Sequence, residues 1–292
     1  MGLTTSDIAA EDESGNWYIE GGNSVLMEQY TATWCDVCAT IDPWIADFAD
    51  KRGSRLIRIA LHDPIADPLG SAISSERLSI HPESMELAPS FWFDSNNEIK
   101  GTVDSVDLDR ALLNSEGLRD SDSRITIMGI ESSDRKSVNL EINLSNVENF
   151  SDTHVSIFLL AQVSLEKSLA TNGITTHEDV SVGYVNMKID ENLSVGELTS
   201  DTIFNYGFNN ISMIKNNKSA KINLDFLLEN EDFQELSIVV AHEKVLDDQR
   251  STLGAVSLDL HNNENTQGFS LFWPMFTIAL LSSMIFLKDQ FL

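Results

Sequence analysis

Two cysteines separated by two residues lie near the start of the chain, in the stretch TATWCDVCATIDPW. Cys35 and Cys38 are the only cysteines in 292 residues, and Trp34 directly precedes the pair. Such a C-x-x-C pair can be half of a zinc site, a static local disulfide, or a redox centre that cycles between dithiol and disulfide. The sequence around the pair decides among these three chemistries.

Zinc and a purely structural disulfide are both poorly supported. A structural zinc site needs four ligands, usually two such pairs, and the sequence has no second C-x-x-C. A C-x-x-C disulfide closes very few residues and therefore adds little stability as a staple. The six histidines have no metal-ligand spacing, and each is interpreted as a surface or structural residue: His62, His81, His154, His177, His242 and His261. The redox role is favoured, and neither a metal nor a cofactor is predicted.

The first part of the chain alternates strand and helix patterns. The predicted elements are a strand at Ser24–Thr31, a helix at Cys38–Arg52, a strand at Arg55–Leu61, a short helix at Ser71–Leu78, strands at Ser90–Phe93 and Glu98–Val103, and a helix from Val106 to Asn114. This order predicts a small α/β domain over residues 17–116, after an N-terminal segment at 1–16. Its first strand would deliver Cys35 to a helix N-terminus, where unpaired N–H groups and the helix dipole favour a thiolate.

After Gly117, period-two alternation replaces the helical pattern, for example at Val138, Leu140, Ile142 and Leu144. Such runs, broken by Asn, Asp, Ser and Gly turns, predict an antiparallel, Ig-like β-sandwich over residues 121–260. This segment contains no catalytic motif. Its expected use is either spacing or recognition of a client protein.

The C-terminal stretch Phe269–Leu287, FSLFWPMFTIALLSSMIFL, has no charged residue. Its length suits a helix that crosses a hydrocarbon core of ~30 Å, and we predict one transmembrane helix, with a linker at 261–268 and a tail at 288–292. A buried core helix is the alternative. The soluble domains are expected on the extracytoplasmic side, at the cell surface, after export by an upstream signal. A tail-anchored protein with cytoplasmic domains is the second possibility.

The charge of the chain excludes one class of partner. Forty-six acidic residues against 19 basic ones give a formal net charge of −27. A surface this acidic repels phosphate backbones, so no nucleic-acid partner is predicted.

The first domain resembles thioredoxin in several motifs that follow one another in order. A strand ends in Trp34 and the C-x-x-C, and Pro43 lies five residues after the second cysteine, inside the helix. Further on, LAPSF with Pro89 precedes a strand, like the cis-proline segment of that family. The resemblance implies a thioredoxin fold with Cys35 as nucleophile, Cys38 as resolving thiol and a redox-active Cys35–Cys38 disulfide. Trp34 would shield the sulfurs, and cis-Pro89 would leave backbone groups free to pair with a client strand.

Two departures from the thioredoxin pattern bear on the chemistry. Thioredoxins usually keep a buried acid six residues before the first cysteine, and this sequence has Gln29 there, with Glu28 next to it. Asp36 and Val37 separate the cysteines, and a carboxylate beside Cys35 disfavours its thiolate. We therefore expect the pKa of Cys35 to lie below that of a free cysteine but above that of a strong oxidant, as in a reductase or isomerase.

These observations predict a membrane-anchored thiol–disulfide oxidoreductase that acts on protein disulfides. Its partners would be a client protein, a redox partner that exchanges electrons with the cysteine pair, and the membrane that holds the C-terminal helix. The order of a thioredoxin-like domain and a sandwich is also similar to that of microbial outer-membrane-type lipoproteins. This second likeness supports the alternative, a surface-exposed binding or scaffold protein whose cysteine pair is not catalytic.

Overall fold

Strands dominate the computed structural model, which describes residues 8–12, 16–81, 87–189, 196, 198–199, 202–228, 233–246 and 249–260. The strands in this part of the chain are β1 (Ile8–Asp12), β2 (Asn16–Gly21), β3 (Val25–Thr31), β4 (Leu56–His62), β5 (Ser90–Phe93), β6 (Asn96–Lys100), β7 (Arg124–Glu131), β8 (Ser137–Ser145), β9 (Thr153–Ser164), β10 (Thr176–Ile189), β11 (Leu198–Thr199), β12 (Thr202–Tyr206), β13 (Phe208–Lys215), β14 (Ala220–Leu227), β15 (Phe233–Leu246) and β16 (Gln249–Asp259). The helices there are α1 (Asp36–Asp50), α2 (Ala72–Leu78) and α3 (Ser105–Leu118).

One continuous sheet of nine strands, here the long sheet, carries the candidate site. Its order is β16-β15-β9-β10-β4-β3-β5-β6. The ninth strand, β12, pairs with residues 184–187 of β10. β3 and β4 are parallel, and β4 is also parallel to β10, with Ala60 opposite Val180. Strands from the first hundred residues therefore share hydrogen bonds with strands from the second half of the chain.

A second sheet of seven strands, the short sheet, has the order β1-β2-β7-β8-β14-β13-β11. Its period-two pattern puts alternate side chains on one face, where they meet alternate side chains of β9, β10, β15 and β16. Ile127 and Ile142 of the short sheet and Ile157 and Val240 of the long sheet are fully buried in this shared core. Burial of this apolar face holds the two sheets against each other.

The three helices cover the long sheet where the short sheet does not. Ile41, Ile45 and Phe48 of α1 recur at helical spacing and join α3 in a cluster against β3 and β5. α2 lies in a different cluster, which contains Ile73, Leu78 and side chains of β4, β9 and β15. The long sheet is therefore buried on both faces near β3 and β4.

The predicted fold class is wrong. We expected an α/β thioredoxin fold, an antiparallel β-sandwich and one C-terminal transmembrane helix, whereas the described residues form a mostly β structure with two sheets and three helices. β3 to β6 do not close a small sheet of their own, because β4 pairs with β10 and the sheet continues. Periodicity identifies single elements but not which distant edges pair. The predicted limits 17–116 and 121–260 stay a prediction.

The predicted membrane span and the surface location derived from it are also corrected. Among the residues that the structure describes, no helix is both long enough and apolar enough to cross a membrane. The stretch Phe269–Leu287 lies outside those residues, as do the predicted linker and tail.

A buried cluster of charges joins α2 to the long sheet. The Arg77 guanidinium donates to Glu28 of β3 at 2.6 and 2.9 Å and to Glu243 of β15 at 3.0 and 3.1 Å. Arg250 of β16 donates to the same Glu243 at 3.0 Å, so two guanidinium groups balance two carboxylates. Burial alone would raise the pKa of Glu243, but Arg77 and then Arg250 lower it to about 2.

Replacing Arg77 with methionine should destabilise the protein strongly, because Glu28 would remain buried without a counter-charge and Glu243 would keep only Arg250. We expect a loss of about 3–5 kcal/mol in the free energy of unfolding, measured by urea denaturation at neutral pH. Arg110→Met is the matched control, since Arg110 pairs with Asp107 on the exposed face of α3. That variant should lose less than about 1 kcal/mol. Equal effects of the two substitutions would show that the buried cluster is not a main support of α2.

Candidate functional site

The cysteine pair lies where β3 ends and α1 begins. Cys35 is the N-cap residue of α1, and its backbone is extended while Ala39 N–H already donates to its carbonyl. Cys38 N–H donates to the Cys35 sulfur at 3.0 Å, which occupies one of the free donors of the first helical turn. The fold thus aims the positive end of the helix at the Cys35 sulfur.

Cys35 and Cys38 form a disulfide, with the two sulfurs at different depths. Cys38 is fully buried, whereas Cys35 keeps 5% of its surface and is the sulfur nearer to solvent. The Cys35 sulfur lies 3.5 Å from the carbonyl oxygen of Ala88, and the Ala88–Pro89 peptide bond is cis, the geometry expected at Pro89. Within the described residues, no group of His, Cys, Asp and Glu side chains could hold a metal ion.

Four other predicted site residues are exposed at the surface. Trp34 is half exposed, and its Nε1–H donates to Asp63 Oδ2 at 3.1 Å, which fixes the indole beside the cysteines. Asp36 and Val37 are exposed in the first turn of α1, and Pro43 is exposed further along the same helix. Trp34, Asp36 and Val37 adjoin the cysteines along the chain, whereas Pro43 lies five residues after Cys38, and the roles predicted for all four stay predictions.

Gln29 and Glu28 point to opposite faces of the long sheet. Gln29 lies under α1, where its Nε2 donates to Asp42 Oδ1 at 2.6 Å and its Oε1 accepts from Arg58 at 2.8 Å. Glu28 belongs instead to the Arg77 cluster on the other face. Of the two polar residues before the cysteines, only Gln29 therefore reaches the site.

Asp42 is the buried acid of the site, and the sequence reasoning missed it. It lies one helical turn after Cys38 on α1 and accepts hydrogen bonds from Gln29 and from Thr31 Oγ1, each at 2.6 Å. Burial raises the pKa of Asp42, against the opposing effects of Thr31 and Arg58. The available signal was its i,i+4 spacing from Cys38, which places both residues on one face of a helix.

A second buried polar group lies beneath the residues before Cys35. The His62 and His177 rings meet edge to face at 4.9 Å, and His62 Nδ1 lies 3.3 Å from Asp67 Oδ2. Asp67 also accepts a hydrogen bond from Thr33 N–H. Burial alone would raise the pKa of Asp67, but His62 and the backbone donors hold it below its usual value. The sequence spacing of these histidines gave no sign that two of them would meet here.

The loop that carries Asp63 and Asp67 turns tightly at Gly70. An added Cβ at Gly70 would lie 2.2 Å from the Asp63 carbonyl oxygen, so a larger residue would push the two backbone segments apart. Gly70 N–H donates to the Asp67 carbonyl at 2.9 Å. The close approach keeps both carboxylates under Trp34 and Thr33.

The loop at residues 165–175, between β9 and β10, holds the segment before Cys35 in place. Asn172 N–H donates to the Thr33 carbonyl at 2.8 Å, and Thr171 Oγ1 donates to the same oxygen at 3.0 Å. The Asn172 amide also donates to the Ala32 carbonyl at 3.2 Å. The disulfide site is therefore built from both halves of the chain.

Comparisons with known proteins show the fold and nothing finer. No family model and no curated protein matches the sequence. The solved structure of HBP35 of Porphyromonas gingivalis is similar, with a TM-score of 0.58 and 12% identity over 86% of this chain and 79% of that chain. Protein AGR_C_4864 of Agrobacterium tumefaciens is similar too, with a TM-score of 0.51 and 10% identity over 88% of this chain and 99% of that chain.

These likenesses also correct the resemblance inferred from the motifs. The chain shares a largely β arrangement with these two structures over most of its length, and its three described helices do not make it an α/β thioredoxin fold. The expected membership in the thioredoxin superfamily, and the likeness to outer-membrane-type lipoproteins of that kind, are therefore wrong. The motifs around Cys35 are local, and local motifs do not determine how a whole chain is arranged.

His177 should make the stability of the protein depend on pH. Burial, and then His62, lower the pKa of His177 to about 4, whereas an unfolded histidine titrates near 6.5. Between these values the unfolded chain binds more protons, so stability is lost as the pH falls. We expect His177→Asn to remove about 1–2 kcal/mol of the loss between pH 7 and pH 5, measured by urea denaturation at both pH values. An unchanged pH dependence in the variant would show that His177 is not held neutral by the fold.

Proposed function

We propose that the protein is a thiol–disulfide oxidoreductase that acts on disulfides of client proteins through Cys35 and Cys38. One observation carries the proposal: the more accessible sulfur of a disulfide caps the N-terminus of a helix. Helix N-termini favour thiolate over thiol, and the thiolate is the nucleophile in disulfide exchange. A static disulfide has no need for this placement.

In the proposed reaction the reduced protein donates two electrons to a client. The Cys35 thiolate attacks one sulfur of the client disulfide, a Cys35–client disulfide forms, and the second client sulfur leaves as a thiolate that takes a proton. Cys38 then loses its proton and attacks Cys35, so that the Cys35–Cys38 disulfide forms and the first client sulfur leaves as a thiol. A dithiol redox partner must then reduce the pair again.

Asp42 is the group that would accept the proton from Cys38. Cys38 is fully buried and cannot pass a proton directly to solvent, whereas Asp42 lies one turn away on the same helix. Because burial raises the pKa of Asp42, its carboxylate is a stronger base than an exposed one. Asp42 would thus supply the acid–base function that Gln29 cannot.

A binding or scaffold protein with an inert disulfide is the competing function. The depth of the pair favours it, since Cys38 has no exposed surface and Cys35 has little. The two functions differ in one property, the reactivity of Cys35 after reduction.

Alkylation of the reduced protein measures that reactivity. We expect Cys35 to react with iodoacetamide faster than a model thiol at neutral pH, with a rate that levels off at lower pH than for the model thiol. A matched pair of variants adds a second readout. Cys38→Ala should accumulate a mixed disulfide with a synthetic peptide that contains one internal disulfide, and Cys35→Ala should accumulate none.

The two readouts together decide between the functions. Slow alkylation of Cys35 combined with no mixed disulfide in Cys38→Ala would overturn the oxidoreductase and leave the scaffold function. Equal trapping by both variants would show that the order of the two cysteines is not as proposed.

Asp42→Asn should slow the second step specifically. The mixed disulfide with the peptide should persist about tenfold longer at neutral pH, because Cys38 loses its proton acceptor, and the difference should shrink as the pH is raised. The alkylation rate of Cys35 should change much less. Asp47→Asn is the matched control, since Asp47 lies on the exposed face of α1, where it pairs with Lys51. Equal lifetimes in both variants would contradict the role of Asp42.

A further inference from the structure

Exposed apolar side chains surround the disulfide. Trp34, Val37 and Leu87 are all partly exposed, the first two beside Cys35 and the third just before Ala88, whose carbonyl contacts the Cys35 sulfur. Trp34 and Val37 belong to the motif that carries the cysteines, and Leu87 belongs to the segment that contains cis-Pro89. Two more exposed apolar residues, Ile65 and Leu169, come from other parts of the chain.

Ile65 is 87% exposed on a fixed turn beside Trp34. The Asp63 carboxylate accepts from Ile65 N–H at 2.9 Å through one oxygen and from the Trp34 indole through the other. A single carboxylate therefore holds both apolar residues at the same edge of the site. A single exposed isoleucine is ordinary, but Ile65 adds to the exposed apolar side chains around one site, and grouped exposure of this kind marks surfaces that contact another molecule.

Leu169 is 48% exposed and lies in the loop between β9 and β10. Two and three residues later, Thr171 and Asn172 bind the Thr33 carbonyl, so the loop brings Leu169 to the segment before Cys35. This residue is far from the cysteines in sequence and depends on the continuous sheet for its position. We call Trp34, Val37, Ile65, Leu87 and Leu169 the apolar rim.

The charge around the apolar rim is acidic. Asp36 is exposed in the first turn of α1, and Glu166 is exposed in the β9–β10 loop, where the exposed Lys167 follows it. The whole chain carries a formal net charge of −27. A field of this sign attracts basic segments and repels acidic ones, most strongly at low ionic strength.

We propose that the apolar rim docks an extended client segment that carries apolar side chains next to its cysteine and lysine or arginine close by. Ile65 and Leu169 determine the preference for such a segment. The docking deepens the proposed function and rests on it, because the bound segment would present its disulfide to Cys35. Burial of exposed leucine and isoleucine side chains against a bound segment removes apolar surface from water, and this strengthens binding.

Binding can be tested without any thiol chemistry. The probe is a fluorescent peptide with Leu-Ser-Phe at its centre and lysines at both ends, in which serine replaces the client cysteine. Leu169→Ser and Ile65→Ser should each weaken its binding about tenfold, because each removes an apolar contact. Leu227→Ser is the matched control, since Leu227 is 54% exposed in the short sheet. This variant should bind the peptide as tightly as the wild type does.

A second peptide, with glutamates in place of the lysines, tests the charge. It should bind more weakly than the lysine peptide, and the difference should shrink as salt is added. Equal affinity of Leu169→Ser, Ile65→Ser and the wild type would overturn the docking surface, as would equal binding of the two peptides at low salt. Because serine replaces cysteine, these outcomes do not depend on Cys35. A correct binding pattern combined with an unreactive Cys35 would overturn the oxidoreductase and keep the docking surface.

Discussion

The pairing of Arg77 with two buried carboxylates is the interaction on which the arrangement of the long sheet depends. Glu28 lies on β3, Glu243 on β15, and Arg77 on the helix that covers them both. Burying any of these charges without a partner would be costly, so the fold that buries them must also bring them together. The contact joins the strand that leads to the cysteines with a strand near the other end of the sheet. The Arg77 cluster therefore connects β3, the strand before the cysteines, to β15 in the second half of the chain.

The sequence predicted the single elements well and their assembly poorly. The strand before the cysteines was expected at Ser24–Thr31 and is found at Val25–Thr31, and the helix expected at Cys38–Arg52 is found at Asp36–Asp50. Periodicity reports which face of an element is buried, and it does so for β7, β8 and β14 as well. It does not report pairing between strands far apart, such as β4 with β10. For this reason the sequence did not predict the architecture of the whole chain.

The candidate site divides in the same way. Cys35, Cys38 and Trp34 were predictable because their types and spacing are local. Asp42, His62 and Asn172 were not, because their relation to the cysteines depends on packing. An acid inside an amphipathic helix pattern looks like part of the polar face until the sheet beneath it supplies Gln29 and Thr31 as donors. Residues that act through the fold can be found only once the fold is known.

The hydrogen bond between Asn172 N–H and the Thr33 carbonyl has a consequence for the chain during its synthesis. Thr171, which binds the same carbonyl, follows Thr33 by 138 residues. At about 5–20 residues per second, roughly 7–28 s pass between the synthesis of Thr33 and that of Thr171. During that interval the cysteines have been synthesised but the loop that holds their segment has not. The nascent chain therefore exposes two thiols to whatever oxidants or chaperones its compartment contains, before the mature environment of the pair exists.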